Sequence, residues 1–430
     1  MRTIIPAQAG LGQVQDKIDD LADNHKDNLW RVNKQIHGNP EPHYEEVQAH
    51  DNICGLLESL GYTVTPHAYG VSTAFQVDFG TGGGLVSYNA EYDALPCESD
   101  GYHHACGHNL IATSSIAAFL FTAGLIKDTG IQGRVRLLGT PAEESGGGKI
   151  DLIEAGAYRG VDASLMAHPS NDIESFDGIS CPKTLAINSV KIKFHGKEAH
   201  AAASPWAGIN ALDAVVATYN NIAMLRQQLP LTERVHSIIS NGGERPNIIP
   251  GLAEMELYAR AATDAELETL CKRLEGCIHG GAQAAGCKVE LTWDRAYKNL
   301  RNNETIARVF TDSMRAMGRT FQHKLEDNIG GSTDQGSVSL FKSVAAWLYL
   351  KICLLLGNVT HEIPGIHPMF VIPTPGGVTG PHTPGFAEAA GTYDSFLRAL
   401  DVGKGLAIAG YQILADPQLR QQAWNEHANK

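Results

Sequence analysis

The feature that most constrains this chain is an alternation of short apolar strands and helices, with polar side chains where the strands end. A buried-looking strand at 85–92 runs into Asp93, and the strand at 134–139 is soon followed by Glu143 and Glu144. Such alternation predicts a mainly parallel sheet with helices on both faces, whose sites lie at the carboxyl ends of the strands. We therefore expect these acidic residues to lie close together.

A second pattern begins near residue 186 and indicates an inserted domain. Strands at 186–195 and 252–261 and a helix at 264–285 belong to the order β-α-β-β-α-β, which is that of a ferredoxin-like unit able to fold by itself. The earlier alternation then resumes, so the fold class is α/β with a discontinuous first domain. The predicted boundaries are 1–185 and 299–430 for the two parts of the first domain and 186–298 for the insertion.

Composition narrows the partners and the compartment. A net charge of −13 argues against nucleic acid or an anionic membrane as the main partner, because both require a basic face. The eight cysteines have no regular spacing, and the N-terminus lacks the charged start and apolar run of a secretory signal. We therefore expect free thiols and a cytoplasmic location.

The segment Tyr102–Asn109, with the sequence YHHACGHN, carries the strongest chemical signal. Cys106 and His108 are separated by one glycine, so a short turn can direct a thiolate and an imidazole at one point. That pair suits zinc or another late transition metal. Further candidate ligands follow near the ends of probable strands, namely the pair Glu143-Glu144, His168 and His382. An ordered set of this kind favours a metal centre over isolated polar residues.

Two neighbouring carboxylates after a strand suit a metal hydrolase. Because Glu143 and Glu144 leave the backbone in different directions, one can hold metal while the other meets a water as a general base. A bound metal lowers the pKa of water toward about 7 and polarises a substrate carbonyl. The spacing alone leaves open which glutamate has which role.

Three other interpretations compete with a metal hydrolase. The run Ser145–Lys149 lacks the first glycine of a phosphate loop and the Ser or Thr that follows its lysine. Cys106 as a protease nucleophile needs a histidine facing it across the fold, and His108 is too near in sequence for that. A metal-binding but catalytically inactive interaction protein stays open as the alternative, although such a protein is expected to lose Glu143 or a ligand.

Several motifs together resemble the aminoacylase and carboxypeptidase G superfamily of binuclear metallopeptidases. They are ACGH at 105–108, TPAEE at 140–144, MAHP at 166–169, GKEAHAA at 196–202 and HTP at 382–384. Within that superfamily the chain is similar to the amidohydrolase branch with a Cys-Gly-His ligand motif. This branch includes the aminobenzoyl-glutamate hydrolases and the aminoacylase-like dipeptidases. The segment Gly331–Asp334 also resembles the sequence pattern of these two groups.

The resemblance implies two divalent metal ions, zinc or manganese. It assigns Cys106 as the ligand that bridges them. Glu144 and His382 complete one site, and His108 and His168 complete the other.

The same resemblance implies roles for residues around the metals. Glu143 is expected to be the general base, and Asp93 is expected to orient the site. Glu91 stands where better-studied relatives have a histidine ligand, and His108 takes over that duty in the Cys-Gly-His branch.

For the inserted domain, the resemblance implies a lid that also pairs two subunits. His200 is expected to reach the partner's metal site and stabilise the oxyanion. Asn247 and Arg260 are candidates for binding the substrate carboxylate. For these two residues a structural role is equally open, since Asn247 can form a turn and Arg260 can pair with a nearby acid.

The expected activity is hydrolysis of the amide bond in an N-acyl amino acid or an unusual dipeptide by a homodimer. One segment, 338–357, interrupts the family pattern with a strongly apolar run that has no polar helical face and no turn residues. Its most apolar part, Val344–Leu356, is shorter than the roughly 20 residues that a membrane span needs and carries Lys351. We interpret the segment 338–357 as an aberrant insertion, such as a translated intron, that lies outside the core. The alternative is a genuine helix that touches a membrane or binds a partner.

Overall fold

The computed structural model describes residues 11–97, 101–144, 146–171, 175–324, 355–374 and 380–430. Gly331–Asp334 and most of the suspected insertion, 338–354, lie outside these residues, so the interpretation of that segment stays a prediction. Its last three residues lie at the start of a helix that continues to Glu362.

The chain divides into two compact units. The first unit comprises Met1–Lys183 and Leu300–Lys430, and the second unit is Thr184–Asn299. The sequence predicts 186–298 for the inserted domain.

Helices make up much of both units. They are α1 Leu11–Gly38, α2 Val47–Ser59, α3 His108–Thr129, α4 Gly148–Glu154, α5 Ala211–Leu225, α6 Asp264–Ala285, α7 Glu304–Ala316, α8 Leu355–Glu362, α9 Pro384–Ala390, α10 Tyr393–Ala415 and α11 Pro417–Ala428.

The strands are mostly short. They are β1 Val64–Pro66, β2 Phe75–Thr81, β3 Gly84–Ala90, β4 Leu95–Cys97, β5 Gly101–His103, β6 Gly133–Gly139, β7 Ala163–Leu165, β8 His168–Ser170, β9 Gly178–Ile179, β10 Ala186–His195, β11 Ala199–His200, β12 Arg234–Asn241, β13 Ile248–Ile249, β14 Leu252–Ala261, β15 Lys288–Trp293, β16 Phe321–Gln322, β17 Gly365–Ile366 and β18 Met369–Val371.

The main sheet of the first unit has six strands in the order β1-β2-β6-β3-β7-β17. β6, β3, β7 and β17 run parallel, while β1 and β2 form an antiparallel edge. This arrangement confirms the predicted α/β class with a mainly parallel sheet. Among the described residues this unit also has a smaller sheet, in the order β16-β9-β18-β8, and the antiparallel pair β4-β5.

Both faces of the main sheet are covered. Every residue of β3 is buried, as expected for a strand between two layers of helices. On one face Val86 and Tyr88 join a core cluster with residues of α1, α3 and α10. On the other face Leu85 packs in a cluster that contains Leu152 of α4 and Val359 of α8. The sheet is therefore held rigidly, and so are the residues at its ends.

Helix α3 is largely buried within the first unit. Among the described residues it is long and apolar enough to cross a membrane by length and composition, but 94% of that stretch is buried inside the unit. Core helices pass the same test, so this feature is weak evidence for a membrane span.

The second unit has a four-stranded antiparallel sheet in the order β12-β14-β10-β15. Its main elements follow the β-α-β-β-α-β order predicted from the sequence, with the short pair β11-β13 added. Helices α5 and α6 cover one face, where residues such as Val190 and Leu257 form a core.

Candidate metal centre

Three neighbouring strands bring most of the predicted site together. β6, β3 and β7 are adjacent and parallel, so their carboxyl ends lie at one edge of the sheet. Asp93 follows β3, Glu143 and Glu144 follow β6, and His168 follows β7. All four are buried. These four residues therefore lie just after strand ends, as the sequence predicts.

A glycine turn sets the spacing of Cys106 and His108. Gly107 has a φ of +79°, and α3 begins at His108. A Cβ on Gly107 would lie 2.6 Å from Cγ of Pro169, so both the conformation and the space require glycine. His382 is tied to the same segment, because its backbone N–H donates to the carbonyl of Ala105 at 2.7 Å.

Two groups of possible ligands share one sulfur atom. Ligand atoms of Cys106, His108 and His168 lie within 4.8 Å of one another, and so do those of Cys106, Glu144 and His382. The Cys106 Sγ is 3.3 Å from Nε2 of His168, and His382 Nε2 is 3.8 Å from Oε1 of Glu144. The structure thus brings all five predicted ligands together, with Cys106 common to both groups.

Hydrogen bonds prepare two histidines to act as ligands. The Nδ1–H of His108 donates to Oδ1 of Asp93 at 2.9 Å, and the Nδ1–H of His168 donates to the carbonyl of Pro169 at 2.6 Å. With Nδ1 carrying the proton, each ring keeps a lone pair on Nε2. Burial, followed by the charge of the nearby His367, holds the pKa of His168 well below its usual range, which favours the neutral imidazole.

Asp93 connects the two ligand groups. Its Oδ2 accepts the backbone N–H of Glu144 at 2.8 Å, while its Oδ1 accepts from His108. Burial would raise the pKa of Asp93, but the charge and hydrogen bond of His108 and the Glu144 N–H outweigh it and lower the pKa. The carboxylate is thus held ionised between the two ligands.

Glu143 and Glu144 are equally close to His108. The His108 Nε2 is 3.6 Å from an oxygen of each. They differ in their other neighbours, since Glu144 groups with Cys106 and His382 whereas Glu143 groups with His108 and Glu91. Burial, and next the negative charge of Glu91, raises the pKa of Glu143 to about 8. Glu143 is therefore suited to take up a proton.

A buried ion pair that was not predicted from the sequence lies beside the site. Lys149 of α4 is fully buried and donates a hydrogen bond to Oε1 of Glu91. The other oxygen of Glu91 is 3.7 Å from Nε2 of His108. A lysine in a glycine-rich run gives no signal of such burial, because its partner lies 58 residues away.

His367 is a second residue that sequence reasoning missed. It is buried, and its ring centroid lies 5.8 Å from that of His168. Its Nε2 has no hydrogen-bond partner among the described residues. Burial, then the charges of Lys149 and His108, lowers the pKa of His367 to about 3. The sequence GIHP offers only a histidine close to a strand end as a signal.

The remaining predicted residues belong to the second unit. His200 is exposed, and the Ala201 N–H next to it donates to the carbonyl of Asn247 at 3.0 Å. Asn247 is exposed as well, just before β13, which pairs with β11. Arg260 is buried on β14, opposite Arg234 of β12. The structure therefore brings His200 and Asn247 near each other within this unit.

The first-unit site fits divalent metal by the chemistry of its donors. A thiol, three imidazoles and carboxylates are the ligand types that zinc and manganese accept. Four carboxylates, those of Glu91, Asp93, Glu143 and Glu144, are each almost completely buried there. Like charges packed in this way repel one another unless cations compensate them, and Lys149 supplies one positive charge.

A family profile and two known proteins are similar in sequence to this chain. The sequence profile of peptidase family M20/M25/M40 matches residues 87–359. The "Xaa-Arg dipeptidase" of Mus musculus is 37% identical over 420 residues, which are 94% of this chain and 89% of that protein. A component of the "p-aminobenzoyl-glutamate hydrolase" of Escherichia coli (strain K12) is 31% identical over 318 residues, 70% of this chain and 65% of that protein.

A solved structure shares the fold. The Bacillus subtilis YXEP protein, described as a dinuclear metal binding peptidase from the M20 family, superposes with a TM-score of 0.63 at 19% identity. The match covers 91% of this chain and 99% of that one. The profile match spans more than half of the chain and begins within β3, so it includes Cys106, Glu144 and His168. The chain therefore belongs to peptidase family M20/M25/M40 and is an enzyme of that family.

Proposed function

We propose that this chain hydrolyses the amide bond of N-acyl amino acids or unusual dipeptides, using two divalent metal ions, zinc or manganese. Cys106 would be the ligand common to both ions, His108 and His168 would hold one of them, and Glu144 and His382 would hold the other. The observation that carries the proposal is that Cys106 belongs to both ligand groups. The dipeptidase and aminobenzoyl-glutamate hydrolase activities named for the two relatives support the substrate class.

The residues of the first unit divide the chemical work. When bound, the metals would supply Lewis acidity, which would polarise the substrate carbonyl and lower the pKa of a water. Glu143 takes the proton from the attacking water and delivers it to the leaving amine nitrogen. Its position supports this role, because Glu143 groups with His108 and Glu91 and not with Cys106 and His382. Asp93 fixes the ring of His108 and the backbone of Glu144.

The second unit is proposed to act as a lid, with His200 as the oxyanion donor. The Nδ1 of His200 accepts the N–H groups of Ala202 and Ala203 at 3.2 and 3.1 Å. The proton of the neutral ring is therefore on Nε2, which is the state required to donate to an oxyanion. Asn247 and Arg260 are proposed to bind the substrate carboxylate.

The same unit supports a homodimer. β12 is an edge strand of its sheet, and Ile238 and Ile239 on it are exposed. Met224 and Val216 of α5 are exposed as well. Exposed apolar side chains on a sheet edge and on a helix are typical of a surface that binds another protein. A second copy of this chain would bring its His200 to the partner's site.

Composition supports proposals about the partners and the cellular location of the chain. The acidic net charge favours a protein that uses neither nucleic acid nor a membrane as its partner. The irregular spacing of the eight cysteines favours reduced thiols, which is usual in a reducing compartment. We therefore propose a cytoplasmic location.

A substrate panel with metal analysis tests the function. Purified protein is loaded with zinc or manganese and offered N-acyl amino acids, aminobenzoyl-glutamate and dipeptides that end in arginine. We expect turnover of at least one class that stops on chelation and returns when metal is added back. Two bound metal ions without turnover on any of them would support the alternative, an inactive metal-binding interaction protein.

A further inference from the structure

We propose that Glu46 is a positioning residue that holds the turn before Glu143 in the conformation the general base requires. This inference rests on the proposed function, because it assigns no chemistry of its own to Glu46. None of the ligand or base roles described above involves this residue.

The turn before Glu143 adopts an unusual backbone conformation. Ala142 has a φ of +57° although it is not glycine, and it is completely buried. L-residues rarely adopt the left-handed region, because Cβ then crowds the following carbonyl oxygen. Some other contact must therefore keep Ala142 in place.

Glu46 supplies one such contact, beside the N–H groups of Gly147 and Gly148, which donate to the Ala142 carbonyl at 3.3 Å each. Its Oε1 accepts the backbone N–H of Ala142 at 2.7 Å, and its Oε2 accepts the hydroxyl of Thr73 at 2.7 Å. Glu46 is completely buried just before α2, so its carboxylate cannot exchange these partners for bulk water. Burial, followed by the charge of Asp93, raises the pKa of Glu46 to about 7, so an ionised carboxylate at this position is costly to the fold.

The turn thus has one carboxylate on each side of Glu143. Glu46 accepts the N–H of Ala142, and Asp93 accepts the N–H of Glu144. Asp93 therefore orients the predicted metal ligand, while Glu46 fixes the residue directly before the base. Loss of Glu46 should release the Glu143 side of the turn and leave the Glu144 side anchored.

The first test compares Glu46→Ala with Glu41→Ala. Glu41 is a matched control, because its carboxylate also accepts backbone N–H groups, those of Gln48 and Ala49, without touching the turn. We expect Glu46→Ala to lower kcat on the order of 100-fold, the scale of a misplaced catalytic group. KM and the two-metal stoichiometry should stay near those of the unsubstituted protein, and Glu41→Ala should keep its kcat.

Conservative and compensating variants separate positioning from general stability. Glu46→Gln keeps an acceptor for Ala142 and should retain most of the kcat. Glycine adopts positive φ without strain, so adding Ala142→Gly to Glu46→Ala should recover part of the lost kcat. Ala142→Gly alone completes the double-mutant cycle. Should Glu46→Ala not fold, Glu46→Asp takes its place, since it withdraws the carboxylate by roughly 1.5 Å.

A readout that needs no turnover completes the design. Amide hydrogen exchange of the peptide containing residues 140–144 is measured in the chelator-treated protein, and Glu46→Ala should raise it selectively. Wild-type kcat in Glu46→Ala, or loss of metal in step with kcat, would overturn the inference. If the unsubstituted protein hydrolyses none of the substrates, the proposed function is wrong, but the hydrogen-exchange experiment still tests the role of Glu46. Unchanged exchange in the 140–144 peptide of Glu46→Ala would then show that Glu46 does not stabilise the turn.

Discussion

The imidazole of His108 donates to the carboxylate of Asp93 across 2.9 Å, and both side chains are buried. The second oxygen of Asp93 accepts the backbone N–H of Glu144. One carboxylate therefore orients a predicted ligand from each of the two groups that share Cys106. This arrangement makes Asp93 a residue whose change should affect both metal sites.

The first prediction concerns Asp93→Asn. The amide keeps the size of the side chain but loses its charge, so it cannot accept from both His108 and Glu144 as strongly. We expect metal affinity to fall by about 10–100-fold, the usual cost of losing a residue that orients ligands. Competition with a chelator measures it. Asp78→Asn is a matched control, because Asp78 pairs with Arg136 at the surface and should leave the affinity unchanged.

The second prediction separates Glu143 from the ligands. Because Glu143 is proposed as the base and not a ligand, Glu143→Gln should lower kcat by about 10²–10⁴-fold while metal stays bound. Cys106→Ala should do the opposite and empty or weaken both sites. Metal content by elemental analysis, beside kcat, checks both variants. Loss of metal in Glu143→Gln would mean that the two glutamates have each other's roles.

Much of the fold could be predicted from periodicity. β10, β14 and α6 begin and end at the predicted residues, because a half-exposed antiparallel sheet and an amphipathic helix leave clear periods in the sequence. The small sheet in the first unit was not predicted. Its strands β8, β9, β16 and β18 are two or three residues long, which is too short for a period to appear.

The candidate site divides in a similar way. The predicted ligands could be found because metal-binding side chains follow strands that the sequence identifies. Lys149 and Glu46 could not, since their contacts with Glu91 and Ala142 join residues 58 and 96 positions apart. The sequence carries no mark of a lysine or glutamate that tertiary packing has buried.

The third prediction tests an active site shared between subunits. His200→Ala and Glu143→Gln should each be inactive as homodimers. In a mixed dimer, one site receives an intact His200 from the Glu143→Gln subunit and keeps its own Glu143. Mixing the variants should then restore activity toward about a quarter of the wild-type level, if subunits exchange at random and one site in each hybrid works. Verified exchange without recovery would count against the shared site.

The last prediction concerns the pH dependence of the second unit. Burial, followed by the positive charges of Arg260, Arg226 and Arg234, lowers the pKa of His236 to about 4. In the unfolded chain the pKa is about 6.5. As the pH falls through 6.5 the unfolded state binds a proton that the folded state does not bind until about pH 4. The contribution of His236 to the free energy of unfolding is therefore fully present above pH 6.5, and it is lost as the pH falls from 6.5 to 4.

Replacing His236 should weaken that dependence. We expect His236→Gln to lose less of its thermal midpoint than the unsubstituted protein when the pH is lowered from 7.5 to 5. The measurement is made on chelator-treated protein, because metal binding itself depends on pH. His195→Gln is the control, since His195 lies on β10 of the same sheet with its side chain about half exposed. An equal loss in His236→Gln and the unsubstituted protein would show that His236 does not titrate as its half-buried, positively charged surroundings require.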